Sequence, residues 1–356
     1  TRFVEIEYGK SSFIGELMDI PSQILRKWAF SGPIQTSNDG GLINDTYIVG
    51  DPPTAILQRV NPIFAPRVHQ DIEKITSHLE KMGMTTPRLV RTVHDELCFT
   101  SDIGTWRVLS FIEGSTIHKV ETEGQAASAA KLVGLFHRAT SSLEHRFNFV
   151  RPGAHDTNLH METLLNAVKN TAKDKVEIEA QALAESILAD WEHWDGQLDL
   201  PLRICHGDLK ISNIRFGKDE QTAICLVDFD TFSHQTIAVE MGDAWRSWCN
   251  PAGESDLAGV RFDLDIFKAS AQAWLTHGPE LEPIERENLV LGIQRICLEL
   301  AARFCADAIK KSYFKEDYTR FPMPGEHNLY RAMGQYKLAQ SVKQNRSQAE
   351  AIVQSS

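Results

Sequence analysis

The feature of this sequence that most constrains its fold is a change in the period of its apolar residues near Glu113-Gly114. Before that point, short alternating apolar runs are separated by turn residues, a pattern typical of strands. After it, apolar residues recur mainly at intervals of three and four, as on one face of a helix. We therefore predict an α+β chain with a small, sheet-containing N-lobe over residues 1–112 and a larger, mainly helical C-lobe over residues 113–356. The cleft between two such lobes is a common place for a ligand site.

The N-lobe pattern predicts two helices and several strands. Residues 22–30 form a short apolar-periodic segment that Ser22 can cap, and residues 68–82 carry apolar residues in a 3-4-3-4 pattern. Turn residues separate the predicted strands, which are placed at 34–37, 46–49, 54–60, 88–93, 97–100 and 105–112.

The C-lobe is predicted to consist of long helices with a single strand pair. The helices are placed at 121–140, 158–170, 176–195, 257–277, 284–310 and 327–345. The strands, at 214–216 and 223–227, are separated by a turn that begins at Gly217. The polar tail from Gln344 to Ser356 is expected to fray.

Charge and cysteine content narrow the classes of partner and compartment. Thirty-seven basic against forty-eight acidic residues give a net charge of −11, which argues against general binding to nucleic acid or to anionic membranes. The six cysteines include no C-x-x-C pair, so they predict buried thiols in a reducing compartment rather than a zinc site or a disulfide framework. No secretory signal and no apolar stretch of membrane-spanning length is evident. We expect a cytoplasmic monomer.

The densest cluster of chemically active residues is the segment His206-Gly207-Asp208-Leu209-Lys210-Ile211-Ser212-Asn213. Asp228 follows fifteen residues after Asn213, at the end of an apolar run that predicts a buried strand. Phosphoryl transfer from ATP needs a carboxylate to orient the acceptor hydroxyl, a cation for the moving phosphoryl group and oxygen ligands for Mg²⁺. Asp208, Lys210 and the pair Asn213 with Asp228 supply these groups in turn. Without Asp228, the segment would also fit a capped turn before a strand.

The H-G-D-x-x-x-x-N loop, followed by D-F-D at 228–230, resembles the aminoglycoside phosphotransferase and choline kinase-like group. The resemblance covers nearly the whole chain from about residue 24. It implies a bilobal protein-kinase-like fold, ATP and Mg²⁺ as cofactors, and a small hydroxylated acceptor. In similar loops the histidine at the position of His206 hydrogen-bonds the backbone near the metal-binding segment, so His206 is assigned a structural role. Asp230 is left open between contact with the metal or acceptor and anchoring of the following loop.

A narrower similarity links the chain to the N-acetylhexosamine 1-kinases, which phosphorylate the anomeric hydroxyl of N-acetylglucosamine or N-acetylgalactosamine. It rests on G-G-L-I-N-D-T-Y at 40–47, L-Q-R-V-N at 57–61 and C-terminal groups at 303–304, 313–315 and 327–331. The similarity implies a sugar acceptor bound mainly by the C-lobe, with Arg303 and Tyr313 as candidate contacts. The alternative for Arg303 is an ion pair with Asp307, one helical turn further on.

The turn at 38–46 is the candidate cover for the nucleotide phosphates. Its glycines would let backbone N–H groups approach phosphate oxygens, with Gly41, Asn44 and Thr46 as the predicted contacts. The spacing is not G-x-G-x-x-G, and an ordinary hairpin turn explains the same residues.

One position departs from the pattern of kinase-like folds. Those folds set a lysine on the third strand against the α- and β-phosphates, whereas Gln58 occupies that register here. Either Gln58 contacts the phosphates as a neutral donor, or a bulge turns the next residue, Arg59, inward. Asp71 and Glu73 on the following helix are candidate ion-pair partners, with exposed helix acids as the alternative.

The remaining candidates lie at the lobe boundary and beyond the D-F-D. Adenine is expected where the lobes join, on backbone groups of Ser110 and Ile112, as in similar proteins. Arg246 could reach the acceptor from the first turn of a helix that opens near residue 240, or form a salt bridge. Asp243 is expected to cap that helix and to brace the catalytic loop.

Together these features predict an ATP- and Mg²⁺-dependent kinase that phosphorylates a small molecule, with the 1-OH of an N-acetylhexosamine as the first choice. Kinases of another small alcohol, such as an aminoglycoside, choline, homoserine or methylthioribose, are the alternative within the enzyme class. A nucleotide-binding pseudokinase is the alternative outside it. Gln58 favours that alternative, and the intact set of Asp208, Lys210, Asn213 and Asp228 opposes it.

Overall fold

The structure is a computed structural model, and it describes residues 20–30, 33–36, 43–169, 171–253 and 256–356. These residues divide into two compact units. The first contains the described residues up to Glu73 together with Pro87–Ile112, and the second contains Lys74–Thr86 together with the described residues from Glu113 onward. In the described ranges no helix is long and apolar enough to cross a bilayer.

One antiparallel sheet forms the base of the first unit and confirms the predicted α+β class. Its strands are β1 (Ile34–Thr36), β2 (Asp45–Val49), β3 (Ala55–Val60), β4 (Phe99–Ser101) and β5 (Gly104–Ser110), in the order β1-β2-β3-β5-β4. Alternate residues of the strands point to one face of the sheet, and helix α1 (Ser22–Lys27) packs against that face. The core there consists of Ile24, Trp28, Tyr47, Val49, Ala55, Leu57, Trp106 and Val108.

Two predictions for residues 68–93 have different outcomes. The helix predicted at 68–82 is confirmed as α2 (Val68–Lys81), whose apolar stripe is buried. The strand predicted at 88–93 is wrong, because this segment forms only an isolated bridge between Leu89 and Leu109. The segment enters beside β5 but leaves after one bridge, since Thr92 turns it back through a hydrogen bond to Glu96.

Long helices make up most of the second unit. They are α3 (Glu123–Thr140), α4 (Thr157–Ala167), α5 (Lys175–Glu192), α6 (Ile237–Trp248), α7 (Leu264–His277), α8 (Pro283–Glu287), α9 (Leu289–Lys310) and α10 (Glu326–Gln354). Helix α9 is central, since α4, α5, α6 and α10 all pack against it, while α3 packs against α7.

This unit also contains two small sheets rather than the single predicted strand pair. One has the order β6-β8-β9 and joins β6 (Ser115–Thr116) to the expected pair, β8 (Ile214–Phe216) and β9 (Ala223–Leu226). The other pairs β7 (Leu202–Cys205) with β10 (Ser233–Thr236) in antiparallel register. Strands of two to four residues carry too few residues to show a period, which is why the pattern missed three of them.

Polar caps move several helix boundaries from their predicted positions. Thr236 caps α6 through the Val239 N–H, so α6 begins at Ile237 and Asp243 lies in its interior rather than at its cap. Asp263 accepts from the first-turn N–H groups of α7, which therefore starts at Leu264. Asn288 divides the predicted 284–310 helix into α8 and α9.

The C-terminal tail is helical, contrary to the prediction that it frays. Helix α10 continues to Gln354, because Ala349 and Val353 are buried despite the polar composition of the segment. Arg286 also donates to the carbonyl oxygen of Val353 at 2.9 Å, which satisfies one of the last carbonyl groups of the helix.

Helices α6 and α9 approach each other at backbone distance. A Cβ placed on Gly292 of α9 would lie 1.9 Å from the carbonyl oxygen of Ala238 in α6. A Cβ on Gly242 of α6 would lie 2.5 Å from the carbonyl oxygen of Gly292. Both positions therefore require glycine for the helices to pack at this distance.

We expect Gly292→Ala to lower the free energy of unfolding by about 1–3 kcal/mol, because the two helices must move apart. Gly334→Ala is the matched control, since Gly334 lies inside α10 with no atom within 4 Å of the added Cβ. That substitution should raise stability by about 0.5–1 kcal/mol. Urea unfolding measures both, and equal effects of the two substitutions would contradict the close-contact interpretation.

Candidate active site

The catalytic-loop candidate, residues 206–213, connects β7 to β8. The two strands belong to different small sheets, so both ends of the loop are held by strand hydrogen bonds. Asp228 follows β9, which is paired with β8, and adopts the left-handed conformation at a φ of +67°. Non-glycine residues in this conformation are uncommon and often occur at functional sites.

Three polar side chains on one face of α6 hold the loop by its backbone. Glu240 accepts from the N–H groups of His206 at 2.7 Å and Gly207 at 2.9 Å. Asp243 accepts from Leu209 N–H at 2.9 Å, and Ser247 accepts from Ile211 N–H at 3.2 Å. Spacings of three and four place these side chains on the same face of the helix. We call Glu240, Asp243 and Ser247 the α6 clamp.

Further bonds tie the loop to the segment that carries Asp228. Ring nitrogen Nε2 of His206 lies 2.9 Å from the carbonyl oxygen of Val227, and Val227 N–H donates to the Asn213 carbonyl oxygen at 2.9 Å. Thr231 donates its hydroxyl to the His206 carbonyl oxygen at 2.8 Å. The residue before Asp228 is therefore bonded to both ends of the loop. This is the type of contact expected for His206.

The Glu240 carboxylate is itself fixed from behind. It is 1% exposed and lies 3.1 Å from Nε2 of His137, whose Nδ1 accepts from the indole N–H of Trp274 at 3.1 Å. Since Nδ1 is an acceptor, the His137 proton is on Nε2 and is donated to Glu240. Burial alone would raise the pKa of Glu240, but the bond from His137 and the loop N–H groups hold it below its ordinary value.

A second interpretation of these residues is a metal centre. Atoms of His137, Cys205 and Glu240 lie within 4.8 Å of one another, which is close enough for a shared ion. Both His137 nitrogens and both Glu240 oxygens already take part in hydrogen bonds. Burial also raises the pKa of the Cys205 thiol well above its usual value. The cluster is therefore a structural hydrogen-bond network.

The side chains of Asp208, Lys210 and Asn213 meet at one carboxylate oxygen. Oδ2 of Asp208 accepts from Lys210 Nζ at 2.6 Å and from Asn213 Nδ2 at 3.0 Å. Burial tends to raise the pKa of Asp208, but the ammonium group of Lys210 holds it below its ordinary value. Burial likewise tends to lower the pKa of Lys210, and the Asp208 and Asp228 carboxylates raise it instead. Asp208 is thus an ionised acceptor beside a fixed cation.

The donor set fits a hard divalent cation. Asn213 uses its amide nitrogen on Asp208, at the carbonyl oxygen as well as Oδ2, so its side-chain oxygen points away from those bonds. That oxygen and the Asp228 carboxylate are the neutral and anionic oxygen ligands that Mg²⁺ and Ca²⁺ prefer. The residue before Asp228 donates its N–H to the Asn213 carbonyl oxygen at 2.9 Å, and the Asp228 carboxylate raises the pKa of Lys210.

In the first unit, two hydrogen bonds fix the side chain of Gln58, which occupies the position where kinase-like folds have a lysine. Gln58 on β3 pairs with Arg107 on β5, whose Nε donates to Gln58 Oε1 at 2.9 Å. Gln58 Nε2 donates to the hydroxyl of Thr46 on β2 at 3.1 Å. The side chain of Arg107 is buried at 1% exposure, and sequence reasoning missed it. A cationic guanidinium therefore lies directly behind the neutral amide.

The bulge alternative for Arg59 is wrong. The ladders of β3 with β2 and β5 run without a register shift, and Arg59 is half exposed beside Asp45, with an N···O distance of 3.9 Å. Asn44 is buried, and its Oδ1 accepts from Asn61 N–H at 2.9 Å, which indicates that it fixes the turn. Gly41 and most of the 38–46 turn lie outside the described residues.

The acids proposed as partners on α2 lie elsewhere. Glu73 does form ion pairs, but with Arg88 at 3.3 Å and Arg91 at 3.4 Å rather than with Arg59 of β3. Asp71 is buried at 1% exposure, which also excludes the exposed-acid alternative for it.

The predicted adenine contacts follow β5. Ser110 ends β5, and its N–H and hydroxyl oxygen are bonded to the backbone of Arg88. Ile112 follows β5 and is half-buried. The Ser110 N–H is therefore occupied, which leaves its carbonyl group and the backbone of Ile112 as the predicted adenine contacts.

On α6, Arg246 forms the salt bridge that was the alternative to acceptor contact. Its Nε and terminal nitrogen lie 3.0 and 2.8 Å from Asp243 Oδ1. Its charge also lowers the pKa of Asp208, so it lies within electrostatic range of that carboxylate. The side chain of Asp230 is buried, at 1% exposure. Trp245 and Trp248 are also buried and belong to the hydrophobic core.

A group of arginines surrounds the predicted acceptor contacts Arg303 and Tyr313. Arg151 donates to the Tyr313 hydroxyl at 2.6 Å. Burial lowers the pKa of Arg303, Glu299 opposes this shift, and Arg151 and Arg246 add to it. Arg303 packs over the Phe314 ring at 5.7 Å and forms no hydrogen bond to another described residue.

The expected pairing of Arg303 with Asp307 is wrong. Asp307 instead accepts from the backbone N–H groups of the turn that follows α9, at Ser312, Tyr313 and Phe314. The Asp307 carboxylate therefore holds the turn that carries Tyr313.

Comparison with known proteins identifies the family of this chain and relates its fold to solved structures. A family profile described as the phosphotransferase enzyme family matches residues 35–274. A microcompartment-associated aminopropanol kinase shares 15% identity at a TM-score of 0.60, over 92% of this chain and 97% of that chain. An aminoglycoside phosphotransferase from Alicyclobacillus acidocaldarius shares 16% at 0.59, over 94% and 98%. An amicoumacin kinase in complex with AMP-PNP and Ca²⁺ shares 11% at 0.58, over 87% and 91%.

We expect Glu240→Gln to lower the free energy of unfolding by about 1–3 kcal/mol. The amide NH₂ group of glutamine would face an N–H group of the loop, and that buried N–H would lose its acceptor. Glu162→Gln on the exposed face of α4 is the control and should change stability by less than about 0.5 kcal/mol. Urea unfolding of both variants measures the difference. Unchanged stability of the Glu240 variant would refute the clamp.

Proposed function

The chain belongs to the phosphotransferase enzyme family, and from this membership we propose that it transfers the γ-phosphoryl group of ATP to a hydroxyl of a small molecule, most suitably the 1-OH of an N-acetylhexosamine. The observation that supports the proposed phosphoryl transfer is the position of the Asp208 carboxylate, one oxygen of which is fixed by Lys210 and Asn213.

The proposed chemistry follows from how Asp208 is held. Oδ2 is occupied, so Oδ1 is the oxygen that accepts a hydrogen bond from the acceptor hydroxyl. As the oxygen–phosphorus bond forms and the bond to ADP breaks, the hydroxyl proton passes to Asp208. Because the hydroxyl is a poor acid, its alignment contributes more than early deprotonation. Lys210 neutralises oxygens of the moving phosphoryl group.

A divalent cation completes the proposed site. Asn213 and Asp228 would hold Mg²⁺, which supplies charge neutralisation on the phosphates when bound. Nucleotide with a divalent ion is present in the complex of the amicoumacin kinase with AMP-PNP and Ca²⁺. A spectinomycin phosphotransferase with a TM-score of 0.56 was solved with ADP.

In the first unit, the proposed phosphate contacts are Thr46 and Gln58, with Gly41, Asn44 and Arg59 as further candidates. The hydrogen bond from Arg107 polarises the Gln58 amide and so strengthens its N–H as a donor. We assign adenine to the backbone of Ser110 and Ile112. These proposed contacts would bind the phosphates without a lysine at residue 58. The lack of that lysine was the feature that favoured a pseudokinase.

The arginines near Arg303 support the choice of a neutral acceptor in this proposal. Arg246 lies within electrostatic range of both Asp208 and Arg303, and Arg303 within that of Arg151. Asp243 balances the charge of Arg246, but the guanidinium groups of Arg151 and Arg303 would repel choline and aminoglycosides, which are cations. A neutral sugar with hydroxyl and acetamido oxygens would instead accept hydrogen bonds from Arg303 and Tyr313. Asp230 remains a candidate for the same region.

Asp208→Asn should lower kcat by about 10²-fold or more while ATP affinity changes little, because the variant loses the proton acceptor and keeps the shape. Asp228→Ala should remove the Mg²⁺ dependence of ATP binding. Initial rates of ADP release and calorimetric titration with ATP measure the two effects. Asp199→Asn, at an exposed residue, is the control for both. Full activity of either site variant would defeat the assignment.

Incubation with ATP, Mg²⁺ and N-acetylglucosamine should yield a sugar 1-phosphate, identified by the shift and coupling of its phosphorus NMR signal. Choline and an aminoglycoside should release little ADP. Arg303→Lys should raise KM for the sugar about tenfold and leave KM for ATP unchanged, because the planar pair of donors is lost. Arg261→Lys, at a half-exposed surface ion pair, should change neither.

Two outcomes would redirect the assignment. Turnover with a cationic alcohol alone would overturn the sugar proposal and keep phosphoryl transfer. Stabilisation by ATP and Mg²⁺ without turnover on any acceptor would support a pseudokinase.

A further inference from the structure

His155 makes an unexplained contact with the catalytic loop. It lies just before α4, in the left-handed conformation at a φ of +53°, and its side chain is 11% exposed. Ring nitrogen Nδ1 lies 3.2 Å from Glu299 Oε1, and Nε2 lies 3.2 Å from the carbonyl oxygen of Gly207. Gly207 immediately precedes the proposed catalytic Asp208.

The two partners of the ring fix its protonation state. A carbonyl oxygen can only accept, so Nε2 must carry a proton to bond Gly207. An ionised carboxylate can only accept, so Nδ1 must carry a proton as well. His155 is therefore an imidazolium ion if Glu299 is ionised.

Glu299 is held in its ionised form by its surroundings. Its side chain is fully buried, and Oε2 accepts from the Thr157 hydroxyl at 2.6 Å. That hydroxyl oxygen in turn accepts from Arg295 Nε at 2.9 Å, so its own proton points to Glu299. The titratable groups around this pair come from three helices: Arg295 and Arg303 on α9, Asp243 on α6, and His160 on α4, whose own pKa is lowered by burial.

The contact at Gly207 completes the support of the loop backbone. Gly207 N–H is held by Glu240, and its carbonyl oxygen is held by His155 from the opposite side. A Cβ at Gly207 would lie 2.5 Å from the Thr231 carbonyl oxygen, so the peptide is also confined sterically. The peptide group that links Gly207 to Asp208 therefore has its orientation set by the imidazolium ring.

We propose that the buried ion pair of His155 and Glu299 is a positioning device for Asp208, in which protonated His155 fixes the Gly207–Asp208 peptide and hence the direction of the catalytic carboxylate. His155 touches no reacting atom in this proposal and acts through the loop. The loss of its proton releases one of its two acceptors, and the peptide gains freedom to rotate.

The energetics agree with this geometry. Burial by itself lowers the pKa of His155, but Glu299, Asp243 and the Gly207 carbonyl raise it to about 9. Burial raises the pKa of Glu299, and the bonds from His155 and Thr157 outweigh it and lower the value to about 2. Because the folded value for His155 lies above the unfolded one, its stabilising contribution is complete below pH 6.5 and is lost as the pH rises through about 9.

The first test is independent of any acceptor. Histidine side-chain NMR of the intact chain, with His155→Gln used for assignment, should show His155 titrating near pH 9. Glu299→Gln should lower that pKa toward 6.5, because the carboxylate that favours the cation is gone. An unprotonated His155 at pH 7.5 in the folded wild-type chain would overturn the proposal, whatever the activity assays show.

The second test measures positioning with ATP, Mg²⁺ and N-acetylglucosamine and rests on the proposed function. His155→Gln should lower kcat by about 10- to 100-fold and leave KM for ATP unchanged. Wild-type kcat should fall with an apparent pKa near 9, and this alkaline limb should be absent in His155→Gln. His193→Gln is the matched control, since His193 is exposed at the end of α5, lies 2.7 Å from the Ala189 carbonyl oxygen of its own helix and has no hydrogen bond to the loop.

The outcomes separate the two proposals. A flat wild-type kcat up to pH 10, or an unaltered limb in His155→Gln, overturns the positioning role. If the Gln variant loses cooperative unfolding, the wild-type pH profile and the Glu299→Gln titration decide the matter. If no acceptor turns over, the proposed function fails, and the NMR titration still decides whether the buried ion pair exists.

Discussion

The buried carboxylate of Glu240 is the interaction on which the second unit depends. Two adjacent N–H groups of the catalytic loop and the ring of His137 all bond to it, and its side chain is almost fully buried. A buried carboxylate is tolerated only when its oxygens are fully bonded, so the loop, α3 and α6 each need the others in place. Asp243 and Ser247 extend the same support along the loop, which brings Asp208, Lys210 and Asn213 together.

Sequence patterns were most informative where the physics is local. The 3-4 spacing of α2 and the alternation in β2 and β3 place apolar residues on one face, and the structure buries those faces. Short elements such as β7 and β10 have no such period, and they exist because each pairs with the other across thirty residues. The tail of α10 is similar, since two buried residues and the cap from Arg286 decide a helix that composition argues against.

In the candidate site, too, contacts between residues close in sequence were predicted, and contacts between distant residues were missed. Asp208, Lys210 and Asn213 are close in sequence, so their spacing alone predicts a cluster, and the structure brings them to one oxygen. Arg107, Arg151, Glu240 and His155 were missed because each lies far in sequence from the group it contacts. The one available signal was the spacing of Glu240 from Asp243, which puts both on the helix face that was expected to brace the loop.

The glycine contact between α6 and α9 fixes the distance between the two helices that support the candidate site. Helix α6 carries the residues that hold the catalytic loop, and α9 carries Glu299 and Arg303. With the two backbones touching at Gly242 and Gly292, neither helix can slide along the other. The proposed acceptor contacts, Arg303 and the turn bearing Tyr313, would then be the parts free to change, because the spacing of the two helices beneath them is fixed.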